Sequence, residues 1–303
     1  MATVTSLAFK DVKTVMTKSS LPVGGYSVNP YVGCPHACRY CYASFMKRFT
    51  GHTEKWGTFL DVKNWPRISD PHKYDGQRIV IGSVTDGYNE HEATYKRTRM
   101  LLEQLRGSSA EIMVTTKSDL VLRDIDLLKT FPKVTVSWSV NTLDESFKDD
   151  MDDAPSIGRR LEAMKRFHDE GIRTVCFVSP IFPGITDVPA IIERAKDQAD
   201  LIWLENLNLR GQFKGEIMRY IAEKYPQLVP LYDEIYNKGD RSYWQILESQ
   251  VKRICMDNDF PYLRNDLPYG HSEPGKPVIV NYFYHEEIRL NNNSRPCPSV
   301  SNP

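Results

Sequence analysis

Hydrophobic runs rich in β-branched residues alternate along this chain with longer stretches at helical spacing, and that alternation constrains the fold more than any other feature. Candidate strands span 26–32, 78–84, 111–115, 134–140, 173–179 and 201–206, with candidate helices at 37–49, 90–105, 120–129, 156–170 and 188–198 between them. The fourth helix shows its signals clearly: Ser156 can cap it, Leu161, Met164 and Phe167 recur on one face, and Gly171 stops it. Strands joined by helices pair in parallel through right-handed crossovers. Six such units fall short of the usual eight-stranded closed barrel, so the expected fold is α/β, an open, partial (βα)6 TIM-like barrel with its site at the C-terminal strand ends. With 303 residues and 41% hydrophobic content, there is enough chain for that core and a further segment. We divide it into an N-terminal segment (1–24), the barrel (25–210) and a mainly helical C-terminal extension (211–303). In the extension, helices are expected at 216–224 and 241–257, a final strand at 277–284, and a mobile tail at 291–303.

The most specific chemistry lies just after the first candidate strand, in Gly33-Cys34-Pro35-His36-Ala37-Cys38-Arg39-Tyr40-Cys41-Tyr42. Thiolates are soft ligands suited to iron-sulfur clusters or zinc, and a short loop lets three of them converge on one metal group. With three protein ligands, one iron of a four-iron cluster stays open to an exogenous molecule. The zinc alternative needs His36 or a distant cysteine as fourth ligand, and would make the chain a zinc-stabilised binding module. Zinc frameworks more often use paired C-x2-C units, and no second pair follows here. The remaining cysteines, Cys176, Cys255 and Cys297, are scattered, unlike a secreted disulfide framework.

Other strand ends carry polar groups that can line a site: Ser83, Thr85 and Asp86 after the second strand, Lys117 after the third, and Ser139 on the fourth. Each also has an ordinary reading, as a capped turn, a solvated lysine or a solvated strand edge. The segment from Ser179 to Asp187, with two prolines and a glycine, reads as a stiff loop at the same end.

The C-x3-C-x2-C spacing with an aromatic before the last cysteine resembles the radical S-adenosylmethionine (SAM) superfamily. The phrases Thr85-Asp86-x-Tyr88, Thr116-Lys117-Ser118, Arg123-Asp124-x-Asp126-Leu127-Leu128 and Ser179-Pro180-x-x-Pro183-Gly184 are similar to its spore photoproduct lyase-like branch, also called DNA repair photolyase-like, over about residues 25–210. The resemblance implies that Cys34, Cys38 and Cys41 ligate a 4Fe-4S cluster, that S-adenosylmethionine chelates the open iron, and that its reductive cleavage yields a 5'-deoxyadenosyl radical that abstracts a substrate hydrogen. It implies further that Tyr40 packs near the adenine, that Lys117 contacts the methionine carboxylate, that Ser83, Thr85, Asp86 and Ser139 line the cofactor pocket, and that Tyr42 relays the radical. One departure stands out: the lyase has a hydrogen-donating cysteine near the end of its second barrel strand, and the stretch from Ser83 to Asp86 has none.

Partners follow from that chemistry. An external electron donor, flavodoxin- or ferredoxin-like, is expected. The substrate is a nucleic acid or a peptide; a peptide-modifying enzyme would add auxiliary cysteine clusters or a partner protein that presents the peptide, and the C-terminal region has no clustered cysteines. Lys47, Arg48, Lys55, Trp56, Trp65 and Arg67 mix basic and aromatic groups as a nucleic-acid surface would, and as many ordinary loops do. Lys plus Arg and Asp plus Glu each number 39, so no global field attracts polyanions. The N-terminus has no signal-like apolar run and no stretch is long enough to span a bilayer, so we expect a soluble, cytoplasmic protein with no membrane association.

Overall fold

The computed structural model describes residues 4–19, 25–209, 211, 213–264, 273 and 275–284. The expected tail at 291–303, and Cys297 within it, lie outside the described residues. Among the described residues, twelve strands form two sheets: β1 (Ser6–Asp11), β2 (Met16–Lys18), β3 (Tyr26–Val28), β4 (Tyr31–Val32), β5 (Phe59–Asn64), β6 (Arg78–Ile81), β7 (Glu111–Thr116), β8 (Lys133–Ser139), β9 (Arg173–Ile181), β10 (Leu201–Asn206), β11 (Tyr262–Arg264) and β12 (Val278–Asn281). The large sheet has the order β11-β12-β10-β9-β8-β7-β6-β3-β2, parallel throughout except where β2 pairs with β3. Six neighbouring parallel strands, β3 and β6 to β10, are the six expected barrel units, in chain order across the sheet as right-handed crossovers place them. The final expected strand is β12, which joins the same sheet beside β10, and β11 follows it.

Period-two alternation makes both faces apolar. Ile79, Ile81, Ile112, Val114, Val136, Trp138, Cys176, Val178, Ile202 and Leu204 pack in one cluster with helical side chains that include Leu101, Leu161, Phe167, Ile192 and Val251. Between them on the strands, Val80, Met113, Val175, Leu201, Trp203 and Val280 form a second cluster on the face without helices. Each fully buried aliphatic side chain here is worth about 1.5–3 kcal/mol relative to exposure. The covering helices are α1 (Glu92–Tyr95), α2 (Arg97–Leu105), α3 (Ile125–Leu128), α4 (Glu145–Met151), α5 (Ile157–Asp169), α6 (Val188–Ala195), α7 (Phe213–Lys224), α8 (Val229–Tyr236) and α9 (Ser242–Asn258). Ser156 caps α5 by accepting from the Arg159 N–H, and Gly171 takes a left-handed φ of 72° just beyond it.

Three expected elements are corrected. The run 26–32 is two strands: after β3 the chain turns at Asn29-Pro30, and β4 pairs with β5 in a separate three-stranded sheet, β1-β5-β4. No α-helix spans 37–49, because Ala37 has a φ of 46° and the chain is regular only from Tyr42 to Phe49, as 3-10 turns. The helix expected at 90–105 breaks at Lys96, which has a φ of 50°. Glu92 explains that break: its buried carboxylate turns back to accept from the Thr98 and Arg99 N–H groups, satisfying the first donors of α2.

Candidate active site

The loop bearing Cys34, Cys38 and Cys41 leaves β4 through Gly33, whose φ is 85° and where a Cβ would stand 2.2 Å from the Phe59 carbonyl oxygen. Only glycine fits there. From that point the loop is tied down at several places. The Arg39 N–H donates to the Met151 carbonyl (2.9 Å), and the Asp153 N–H donates to the His36 carbonyl (2.8 Å). His36 is buried, with Nε2 3.0 Å from Asp86 Oδ2. The Tyr40 hydroxyl donates to Asp152 (2.9 Å), and its ring meets Phe182 edge-on. The Tyr42 hydroxyl donates to the Ser83 carbonyl. One short loop is thereby fixed to the ends of β4 and β6 and to the segment after α4.

All three thiols are free. Burial pushes the Cys34 thiol up to about 12, with the Asp86 charge acting in the same direction. Burial likewise raises Cys38 well above the usual thiol value while the Lys117 ammonium opposes it, and it raises Cys41 against the pull of the Ala43 N–H and the Trp56 indole. Thiols so placed become thiolates when a positive group is bound beside them, which is the behaviour of metal ligands. Among the described residues, no three or more His, Cys, Asp or Glu side chains are arranged to hold a single metal ion. A four-iron cluster takes its three thiolates on three separate irons, so it does not need them gathered around one ion as tetrahedral zinc does.

Around the loop, the strand ends bring the other expected residues into view. Asp86 is buried and fully used: Oδ1 accepts from the Tyr88 N–H and the Thr116 hydroxyl, and Oδ2 from His36 and the Lys117 N–H. Burial alone would raise its carboxyl, but His36 and these donors hold it below the ordinary range. Thr85 is nearly inaccessible and its hydroxyl has no hydrogen-bond partner, so a ligand at this position would meet an unsatisfied donor and acceptor. Ser83 shares its hydroxyl with Ser27 and Asn29. The Asn29 carboxamide oxygen also accepts from the Val84 and Thr85 N–H groups, so this one side chain shapes the loop. Lys117 places Nζ 5.6 Å from the Tyr40 ring centroid and has no carboxylate within ion-pair distance among the described residues.

Ser139 is buried on the inner face of β8, and the chain of contacts that leads from it to the loop is one the sequence did not announce. Its carbonyl accepts from Arg160 (3.0 Å), Arg160 pairs with Asp152 (2.8 Å), and Asp152 accepts from Tyr40. Arg160 and the Asp152 side chain are wholly buried. Asn29, Asp152 and Arg160 were missed as site residues, and His36, considered only as a fourth zinc ligand, instead anchors the loop to Asp86. The eight-residue spacing of Asp152 and Arg160 carries no signal.

A model of the Radical SAM superfamily matches residues 28–195. An uncharacterized protein of Methanocaldococcus jannaschii is 36% identical over 228 residues, covering 75% of this chain and 85% of the relative. An uncharacterized protein of Mycobacterium tuberculosis is 26% identical over 245 residues, covering 75% and 72%. Among solved structures, a spore photoproduct lyase mutant with bound AdoMet and dinucleoside spore photoproduct superimposes with a TM-score of 0.53 at 18% identity. That match covers 73% of this chain and 66% of the lyase, just under two thirds of its length, and at this identity it speaks for the fold. The family match speaks against the zinc-module alternative.

Proposed function

Because this chain belongs to the radical SAM superfamily, whose members use a 4Fe-4S cluster and S-adenosylmethionine, we propose that it is a radical enzyme whose Cys34, Cys38 and Cys41 hold the cluster. The bound cluster and cofactor supply one chemistry, the reductive cleavage of S-adenosylmethionine to methionine and a 5'-deoxyadenosyl radical that takes a hydrogen atom from the substrate. The observation that carries the reading is the set of three thiols free of disulfides, Cys34 buried and Cys38 and Cys41 half-buried, on a loop locked to the strand ends, beside Lys117, which has no ion-pair partner among the described residues, and the orphaned Thr85 hydroxyl.

The protein's own groups divide the remaining work. Lys117 offers a point charge for the methionine carboxylate, and the Thr85 hydroxyl offers a hydrogen bond at the same strand ends. Ser83 and Ser139 contribute polar groups to the wall, Tyr40 an apolar ring face. Asp86 acts differently from the expectation: with its oxygens occupied, it orients His36 and the Lys117 backbone. Tyr42 keeps its proposed relay role on geometry alone, since its hydroxyl reaches the end of β6 although the side chain is 63% exposed.

The branch resemblance does not extend to thiol-dependent hydrogen return. Cys176 lies on the helix-packed face of β9 and is wholly buried, and Cys255 is buried on α9. Among the described residues, then, neither cysteine outside the cluster loop is placed to return a hydrogen atom to a substrate radical. Anaerobic reconstitution with iron and sulfide should give a four-iron chromophore, and dithionite with S-adenosylmethionine should give 5'-deoxyadenosine. Cys38→Ala should lose both; cleavage that persists in that variant would sink the assignment.

A further inference from the structure

Immediately after Cys41, the 3-10 segment Tyr42–Phe49 turns large apolar side chains outward. Phe45 is 47% exposed and Phe49 67%. The Arg48 guanidinium lies over both rings, 5.4 Å from the Phe45 centroid and 4.8 Å from that of Phe49. Two more exposed cations, Arg39 and Lys55, flank the same loop and share a single carboxylate, Glu216, at 3.9 and 3.6 Å. A solvent-facing aromatic pair rimmed by excess positive charge is costly unless something covers it, and aromatics with Arg are the composition of protein-binding patches.

We propose that this patch docks the reductant, a small acidic electron-carrier protein. The proposal rests on the radical SAM reading above, which requires one electron to reach the cluster from outside. That step transfers a single electron: the reduced carrier loses it and the cluster gains it, and no bond is made or broken. Position favours this partner, because the patch begins at the residue after the last thiol, so a protein seated on it lies against the loop that holds the cluster. Charge favours it too, since cations around an apolar centre steer an acidic protein and fix its orientation. A nucleic acid is the weaker fit. Base stacking uses ring faces, and Arg48 already covers a face of each ring.

The test uses the reconstituted full chain, an acidic bacterial flavodoxin as probe, and the variants Arg48→Glu and Phe45→Ser/Phe49→Ser. Titration calorimetry at low salt should show flavodoxin binding to the parent that weakens with added salt and falls about tenfold in affinity in either variant. Cleavage of S-adenosylmethionine driven by the reduced flavodoxin should fall likewise, while cleavage driven by dithionite stays at the parent level. Failure of dithionite in the parent itself would strike the radical reading instead. The docking proposal is overturned if flavodoxin does not bind, if the variants bind it as the parent does, or if they lose only affinity for a single-stranded oligonucleotide and keep flavodoxin-driven turnover.

Discussion

His36 and Asp86 are joined side chain to side chain, Nε2 to Oδ2 at 3.0 Å, and through that contact the cysteine loop is fixed to the loops after β6 and β7. Asp86 gathers donors from Tyr88, Thr116 and Lys117 as well, so it organises three segments at once. Asp86→Ala would leave those buried donors unsatisfied and should cost about 3 kcal/mol of stability. Cluster yield should fall with it, whereas Cys38→Ala should lose the cluster with little change in apo-protein melting. Denaturant unfolding beside iron analysis separates the two. A D86A apo-protein as stable as the parent would contradict the bracing role.

The Tyr40–Asp152–Arg160 chain is the second brace. Burial alone would raise the Asp152 carboxyl, but the charges of Arg160, Lys117 and His36 hold it below the ordinary carboxylate range. A depressed carboxylate contributes stability that is fully present above its unfolded value of about 3.9 and is lost as pH falls through the lower folded value. Arg160→Met leaves Asp152 buried without its main partner and should cost about 3–5 kcal/mol, and replacing both residues by apolar ones should recover much of that loss. Unfolding followed from pH 7 to pH 3 should show the parent losing stability below about pH 4 and the double variant losing less.

With no metal bound, burial keeps the Cys34 thiol overwhelmingly neutral near pH 8. Alkylation of the chelator-treated protein by iodoacetamide should therefore be at least about tenfold slower at Cys34 in the native state than in urea. Peptide mapping of labelled Cys34 reads this directly, and equal rates in the two states would contradict the buried environment. The same argument predicts that cluster assembly releases protons into a weakly buffered solution.

The sheet was legible because period-two apolar runs on a parallel sheet leave little choice of partner: β6 to β10 lie at the expected runs, with Ser156 and Gly171 bounding α5 as their chemistry dictates. Two of the misreadings are helix-compatible residues at positive φ: Ala37, in a loop whose neighbours His36 and Arg39 bond the distant Asp153 and Met151 backbone, and Lys96, where the Glu92 carboxylate takes the first donors of α2. Likewise the family was readable from the cysteine spacing, but Asn29, Asp152 and Arg160 act through contacts made only after folding. Arg123 shows the converse. It was read as part of a family phrase, and the structure gives it a structural task, pairing with buried Glu92 and Asp124 behind the helix break at Lys96.

Lys117 is the residue whose two effects can be separated. Its ammonium lies over Tyr40 and favours the ionised form of Cys38, so it acts on the thiols before any cofactor arrives. Removing a cation next to the cluster disfavours the added electron, and Lys117→Gln should therefore move the reduction potential to more negative values while the visible spectrum and iron content stay unchanged. Loss of the proposed charge-assisted contact with the methionine carboxylate should also weaken S-adenosylmethionine binding by about ten- to a hundredfold. Lys117→Arg keeps the charge but not its point geometry, so it should restore the potential more fully than the affinity. Spectroelectrochemical titration with and without cofactor, beside equilibrium binding, distinguishes these outcomes. A solvated lysine with no role at the site would leave both quantities at the parent value in either variant.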